Sequence, residues 1–157
     1  MKIFKQIFLI LSLLLFTNCG FKVLDPSKNN NFSVQAINTT GEKRIGYKIK
    51  NDILINSQDT SANNIKINVN AKKTKAIKEK NIKNEVTKYQ ISIVSQIEII
   101  IVENNTENKF TKSVTGDYLV GNNYSTTINN EKKLVDSLTV NLTEKILDEI
   151  NLKFNDL

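Results

Sequence analysis

The side chains that most often carry out catalysis are scarce in this chain of 157 residues. It contains no histidine, the residue that most often acts as a general base or metal ligand. Its five glycines are scattered and form no phosphate-binding loop. Sixteen carboxylates could in principle pair for hydrolysis, as in glycosidases. Their positions indicate no cleft that would shift their pKa values, so we predict no catalytic residue, no metal site and no cofactor.

The N-terminus has the three parts of a secretory signal peptide. Lys2 and Lys5 form a basic start, an apolar run over residues 7–16 follows, and a short polar exit leads to Cys19. A membrane-spanning helix needs about 20 apolar residues, and this run is too short. We therefore predict a cleaved signal peptide over residues 1–18. The alternative is a buried core helix at the N-terminus.

The junction Phe16-Thr17-Asn18-Cys19-Gly20 resembles the lipobox of bacterial lipoproteins, in which the cysteine is acylated and becomes the first residue of the mature protein. Phe16 is bulkier than the usual leucine, and Asn18 is larger than the usual small residue. Cys19 is the only cysteine, so an exported chain could not form an internal disulfide. The resemblance implies a covalent lipid on Cys19, and several acyl chains anchor a protein stably. Gly20 after the cysteine implies the outer membrane, with the domain on its periplasmic face.

The remaining chain is divided into a tether and one domain. Residues 19–31 contain the only proline, Pro26, and an asparagine-rich run, which predicts a lipidated tether. Residues 32–157 have the length of a single α/β domain. Loss of Lys2 and Lys5 with the signal reduces the formal charge from +6 to a mildly basic +4. A tethered envelope protein meets anionic lipids, so we do not expect nucleic acid as a partner.

Alternation of apolar and polar residues predicts four strands, over residues 32–37, 65–71, 86–102 and 110–120. The lysine-rich segment 72–84 suits the end of the second strand followed by an exposed connection. Beyond Ile97 the third strand is almost wholly apolar to Val102, which indicates cover on both of its faces.

Two segments in which apolar residues recur at every fourth position predict amphipathic helices. The first covers residues 44–57, after Thr39-Thr40-Gly41-Glu42, which has the spacing of a capping box. The second has its apolar stripe from Leu134 to Phe154 and begins after Asn129 or Asn130, its expected N-cap. Its polar face mixes acidic and basic residues, which is typical of a solvated surface rather than of a membrane-binding helix.

The predicted order β-α-β-β-β-α indicates an α+β fold. One four-stranded mixed sheet with two helices on one face would bury every apolar stripe in a two-layer sandwich. The first strand-helix-strand crossover favours a parallel or split pair, and the later strands favour antiparallel hairpins.

Basic residues on loops around the third and fourth predicted strands are the candidate ligand-binding residues. A lysine ammonium binds phosphate as a point charge. An ordinary solvated surface is the alternative, because exposed lysines are common. The candidates are Lys83, Lys88, Lys109 and Lys112, near the aromatic residues Tyr89, Phe110 and Tyr118.

The order of elements and several short motifs resemble the lipopolysaccharide-assembly lipoprotein (LptE) family over nearly the whole mature chain. The motifs are Cys19-Gly20-Phe21, Arg44-Ile45-Gly46, Thr87-Lys88-Tyr89, Val120-Gly121-Asn122-Asn123-Tyr124 and Glu131-Lys132-Lys133. The resemblance implies a non-enzymatic plug inside the large outer-membrane β-barrel LptD, which it helps to fold. It also implies lipopolysaccharide as the ligand that is passed to the outer leaflet.

Two alternatives remain open at the level of sequence. The first is another envelope lipoprotein: an accessory component of a lipid-transport complex, or an activator of a cell-wall synthase. Such proteins also combine a lipidated cysteine, a tether and a small α/β domain, and fold alone does not separate them. The second is a tethered carboxylate hydrolase, whose turnover would depend on Glu98 or Asp117.

Overall fold

The computed structural model describes residues 32–58, 61 and 63–155. The predicted signal peptide, the predicted lipidation of Cys19 and the predicted tether lie outside these residues. The elements follow the predicted order β-α-β-β-β-α. They are β1 Ser33–Gly41, α1 Lys43–Ile55, β2 Asn64–Lys80, β3 Val86–Ile101, β4 Thr106–Leu119 and α2 Tyr124–Asn155.

The four strands form one mixed sheet in the order β1-β2-β3-β4. β1 and β2 are parallel, because α1 carries the chain back along the sheet between them. β2, β3 and β4 are joined by short turns and pair antiparallel. The α+β prediction of a four-stranded mixed sheet with two helices is confirmed.

The core lies between the sheet and the two helices. Alternate residues of β2 and β3 point into it, and the predicted every-fourth-residue stripes of both helices meet them. At one end the rings of Phe32 and Phe154 lie 6.2 Å apart and close the layer. Burial of each large aliphatic side chain contributes about 1.5–3 kcal/mol. The helical residues of this core include Ile45, Ile49, Ile53, Val135, Leu138, Leu142, Ile146 and Ile150.

Within the described residues, no helix covers the opposite face of the sheet, so the predicted cover on both faces of β3 is wrong there. Ile97 and Ile99 are buried against the helices, whereas Glu98 and Ile100 are only half-buried on the uncovered face. Successive side chains of a strand point to opposite faces, and a two-layer fold buries only one of them. We call this second face the uncovered face.

The predicted capping box at Thr39 is also wrong. β1 continues through Thr39 and Thr40, which pair with Val69 and Asn70 of β2. The helix begins after Glu42, whose side chain makes no capping hydrogen bond. Gly41 makes the change of direction, with a left-handed φ of 81°. Strand pairing therefore prevails over the local capping sequence.

α2 begins earlier than predicted. Asn123, rather than Asn129 or Asn130, accepts the backbone N–H of Thr126 on its side-chain oxygen, at 2.8 Å. The Asn130 side chain instead donates to the carbonyl of Leu119, at 3.0 Å, and ties the helix to the end of β4. The first turns of α2 thus lie ahead of the apolar stripe that marked the helix in the sequence.

Candidate functional site

The second half of β2 and the start of β3 form a lysine-rich hairpin, and we call residues 72–90 the distal hairpin. The sequence predicted the end of the second strand followed by an exposed connection within 72–84, and the strand part is the longer one, because residues 72–80 continue β2 and remain paired with β3. Most of the β2 side chains here are exposed. The hairpin holds seven lysines and two glutamates, so it carries much of the positive charge of the domain.

The base of the distal hairpin is attached to α2 through Glu131. Its carboxylate accepts Lys75 at 2.7 Å and Lys73 at 3.4 Å. The hydroxyl of Tyr118 donates to the same carboxylate, at 2.8 Å. The hydrogen bond from Lys75 is the main reason why the pKa of Glu131 lies below its usual value. This carboxylate is therefore an ionised structural anchor rather than a candidate general acid.

Lys75 is packed against two aromatic rings. Its ammonium lies 4.1 Å from the ring centroid of Tyr89 and 5.3 Å from that of Tyr118. The two rings are stacked, with centroids 5.6 Å apart. Burial alone would lower the pKa of Lys75, but its hydrogen bonds to Glu131 and Tyr118 prevail and raise the pKa to about 12. The cation is thus held by a carboxylate and the ring faces together.

The tip of the distal hairpin is a compact turn over residues 81–85. The side-chain oxygen of Asn81 accepts the backbone N–H groups of Lys83 and Glu85, at 2.9 and 3.0 Å. Asn84 has a left-handed φ of 63°, which asparagine tolerates better than most residues. Ile82 is fully exposed at this tip. The tip therefore presents an apolar side chain beside the cation of Lys83.

The lysines of the distal hairpin differ in whether a carboxylate neutralises them. Lys88 pairs with Glu79 at 2.6 Å, and Lys78 lies 3.6 Å from Asp117. Lys80 donates only to the amide oxygen of Asn84, at 2.9 Å. Within the described residues, no carboxylate pairs with Lys72 or Lys83. These two cations are the ones most available to an external anion.

The structure does not bring the four candidate lysines together. Lys83 and Lys88 lie on the distal hairpin, whereas Lys109 lies towards the other end of the sheet. Lys88 is opposite Leu119, and Lys109 lies ten positions before Leu119 along β4, a distance of roughly 33 Å. A single ligand headgroup would not contact both ends.

Lys109 and Lys112 are engaged in ion pairs on opposite faces of β4. Lys109 pairs with Glu98 at 2.7 Å on the uncovered face. Lys112 points towards α2 and pairs with Glu149 at 2.7 Å, and these hydrogen bonds hold the pKa values of both carboxylates below their usual range. Lys112 interrupts the apolar pattern of β4 because it meets an acidic residue of the helix.

The functional features that the sequence interpretation missed are the paired continuation of β2 and the anchor of Lys73 and Lys75 on Glu131. The run Lys72 to Lys78 does not alternate between apolar and polar residues, so local periodicity could not have revealed this part of the strand. The contact with Glu131 joins residues more than fifty positions apart and has no local pattern.

Catalytic arrangements are not found among the described residues. No group of three or more potential ligands could hold a metal ion there. Glu98 and Asp117, on which a hydrolase would depend, lie on the uncovered face in hydrogen bonds to Asn68 and Gln90. Neither helix of the described domain has an apolar stretch that is long enough to cross a membrane.

The fold is similar to that of several solved bacterial lipoproteins. The rare lipoprotein B from Shewanella oneidensis matches with a TM-score of 0.61 and 9% identity, over 77% of this chain and 97% of that chain. The minor lipoprotein from Acinetobacter baumannii matches with a TM-score of 0.56 and 9% identity, over 79% and 92%. Lipoprotein B from Nitrosomonas europaea matches with a TM-score of 0.53 and 14% identity, over 79% and 85%.

No protein-family model and no curated protein matches the sequence. At these identities the structural likeness shows a shared fold and no more.

Proposed function

We propose that this chain is an outer-membrane lipoprotein, anchored through Cys19 at the periplasmic face, that plugs an LptD-type β-barrel and assists it in assembling lipopolysaccharide at the cell surface. The observation that carries the proposal is the shared fold: the domain covers nearly the full length of solved lipoproteins. The lipobox-like sequence at Cys19 and the LptE-like motifs support the same function.

The distal hairpin supplies the chemistry for a phosphate-bearing glycolipid. Lys83 is exposed at the tip and has no carboxylate partner among the described residues, and Lys88, paired with Glu79, lies on the same hairpin. Ammonium groups bind phosphate as point charges, and the exposed Ile82 could meet an acyl chain beside them. We therefore place the proposed lipopolysaccharide contact here, and we assign Lys109 and Lys112 to ion pairs.

The polar surface of the domain suits a position inside a barrel. The uncovered face carries asparagine, glutamine, serine and threonine side chains across all four strands. The interior of an outer-membrane barrel is also polar, so this surface and a lumen wall would be compatible.

The partner is tested by purification of the tagged protein from its own cells in mild detergent, followed by mass spectrometry. We expect one large outer-membrane barrel in near-equal amount. Recovery of a cell-wall synthase or of an inner-membrane lipid transporter would instead support the accessory-lipoprotein alternative. Recovery of no partner would contradict the plug.

The ligand contact is tested with a double variant at the tip, Lys80→Gln with Lys83→Gln, and purified lipopolysaccharide. Two cations are removed, so we expect at least about tenfold weaker binding and a weaker dependence on salt. The matched control is Lys66→Gln with Lys145→Gln, since these exposed lysines also lack a carboxylate partner in the described chain. Equal loss of lipopolysaccharide binding in both double variants would show that binding depends on the overall positive charge and not on the distal hairpin.

A further inference from the structure

The uncovered face of the sheet contains a groove of about 500 Å³ that crosses all four strands. It borders the base of the distal hairpin at Lys72, but no residue of that hairpin lines it. Two adjacent rows of polar side chains line it, one residue from each strand in each row. The rows differ in whether their hydrogen-bonding groups are already satisfied.

The first row is locked by hydrogen bonds within the protein. Asn38 of β1 donates to Asn68 of β2 at 3.1 Å, and Asn68 donates to Glu98 of β3 at 2.7 Å. Lys109 of β4 pairs with the other oxygen of Glu98, also at 2.7 Å. A continuous chain of contacts thus crosses the sheet and fixes one wall of the groove.

The second row is free of such contacts. Thr40, Asn70, Gln96 and Thr111 are exact neighbours in strand register, from β1 to β4. All four side chains are exposed, and none makes a side-chain hydrogen bond in the described part of the chain. The row offers two hydroxyls and two amides, which together donate and accept.

The charge of the groove distinguishes it from the rest of the sheet. The second row is uncharged, and the one anion of the first row, Glu98, pairs with Lys109, which also lies 3.4 Å from the carboxylate of Glu107. The same face of β2 changes from Asn68 and Asn70 to Lys72 immediately beyond the groove. An anion would therefore find no net attraction inside the groove, whereas a neutral ligand rich in hydroxyl groups would find matched donors and acceptors.

We propose that this groove binds a neutral oligosaccharide, extended across the strands. Neighbouring strands lie about 4.8 Å apart, close to the length of one pyranose ring, so consecutive sugars would meet consecutive members of the second row. The hydroxyls of each ring would replace the water that hydrates Thr40, Asn70, Gln96 and Thr111. The first row, whose side chains are already hydrogen-bonded to each other, would form the fixed wall beside the sugar. The proposal does not rest on the function proposed above, and it requires the groove to remain clear of a barrel wall.

The experiment is an NMR titration of the full-length protein, ¹⁵N-labelled, in a detergent without a sugar headgroup. The probes are maltohexaose and the hexamer of β-1,4-linked N-acetylglucosamine, with inorganic phosphate as the anionic comparison. We expect at least one hexasaccharide to shift the side-chain amide resonances of Asn70 and Gln96 saturably. Phosphate should leave both unchanged.

Two double variants test whether the groove itself is responsible. Asn70→Ala with Gln96→Ala should weaken binding at least about tenfold, since two ligand hydrogen bonds are lost. Gln58→Ala with Asn122→Ala removes two exposed amides elsewhere and should leave the affinity unchanged.

Three results would overturn the proposal: no saturable shift with either hexasaccharide, shifts confined to other residues, or equal weakening in both double variants. If the sugars have no effect but a co-purified protein protects the second row from hydroxyl-radical labelling, the face is a protein-binding surface instead.

Discussion

At the residue scale, Gly41 makes the turn from β1 to α1 in a backbone conformation that other residues rarely adopt. Its φ of 81° lies in the left-handed region, and the backbone N–H of Glu42 immediately beyond it donates to the carbonyl of Ala71 at 2.8 Å. A β-carbon on Gly41 would lie 2.1 Å from that same carbonyl oxygen. The close contact holds the start of α1 against β2.

Gly41→Ala should therefore lower the free energy of unfolding by at least about 2 kcal/mol, from left-handed strain and the backbone clash. Chemical denaturation followed by circular dichroism would measure it. The control is Asn105→Gly, at a position with φ of 54°, where the change should remain within about 0.5 kcal/mol. If Gly41→Ala left the free energy of unfolding unchanged, the junction between β1 and α1 would have to accommodate a β-carbon without strain.

Glu131 is the second residue on which stability depends, because its carboxylate accepts hydrogen bonds from Lys73, Lys75 and Tyr118. Its pKa is lowered below 4.5, chiefly by the hydrogen bond from Lys75, so its contribution to stability is present above that pH and is lost as the pH falls through the folded pKa. The pKa of Lys75 is raised to about 12, so its contribution persists below pH 10.5 and is lost as the pH rises towards 12.

Glu131→Gln should destabilise the protein by about 1–2 kcal/mol near pH 7 and reduce the loss of stability below pH 4.5. Denaturation midpoints measured from pH 3 to 7 would test both effects. Glu42→Gln is the matched control, since Glu42 is exposed and has no ion pair in the described chain. If the denaturation midpoints of wild type and Glu131→Gln changed with pH in the same way, the ionisation of Glu131 would not contribute to the acid sensitivity of the fold.

At the element scale, α2 is the main support of the sheet. Its predicted stripe is confirmed as core, and buried threonines extend it. Thr139 and Thr143 donate their hydroxyls to the carbonyls four residues earlier, at 2.7 and 2.9 Å, so their burial leaves no unsatisfied group. At Gly116 of β4, a β-carbon would lie 2.9 Å from Leu134, so the helix packs closely there.

Leu142→Ala should cost about 2–5 kcal/mol, because the side chain is fully buried and its removal leaves a cavity. Leu152 lies on the same helix but is 59% exposed, and Leu152→Ala should cost less than about 1 kcal/mol. Urea denaturation of the two variants, compared with wild type, would give both values. Similar costs would contradict the burial of the predicted stripe.

At the scale of the whole molecule, the fold divides the described domain into three parts. One sheet face is covered by helices, the other presents the polar groove, and the distal hairpin extends the sheet with a lysine-rich tip. The proposed anchor at Cys19 would connect this domain to a membrane through residues 19–31.

Cys19→Ala should abolish incorporation of an alkyne-labelled palmitate, because the only thiol in the chain is removed. Metabolic labelling of growing cells and detection on the purified protein would measure this. Ser27→Ala is the control and should label normally. Labelling is a sharper test than membrane fractionation, since a barrel partner could retain an unlipidated protein. Undiminished labelling of Cys19→Ala would exclude this cysteine as the acylated residue.

Sequence periodicity predicted the number, type and order of the elements, and their connections favoured a parallel or split first pair followed by antiparallel hairpins; the structure decided for the parallel pair and gave the strand order. The elements were predictable because amphipathic spacing records which side of each element is buried. Element ends were less predictable: pairing with β2 drew Thr39 and Thr40 into a strand, and Asn123 capped a helix whose apolar stripe begins a few turns later.

The candidate site was predicted only in part, because its decisive contacts are long-range. Charge and exposure singled out Lys83, but whether a lysine is free depends on carboxylates such as Glu131, Glu149 and Glu98, which lie far away in the chain. The same applies to the polar groove, whose rows exist only once strand register aligns one residue from each of four strands. Local periodicity thus determined the elements, and tertiary register alone decided which side chains are neutralised, locked or left available.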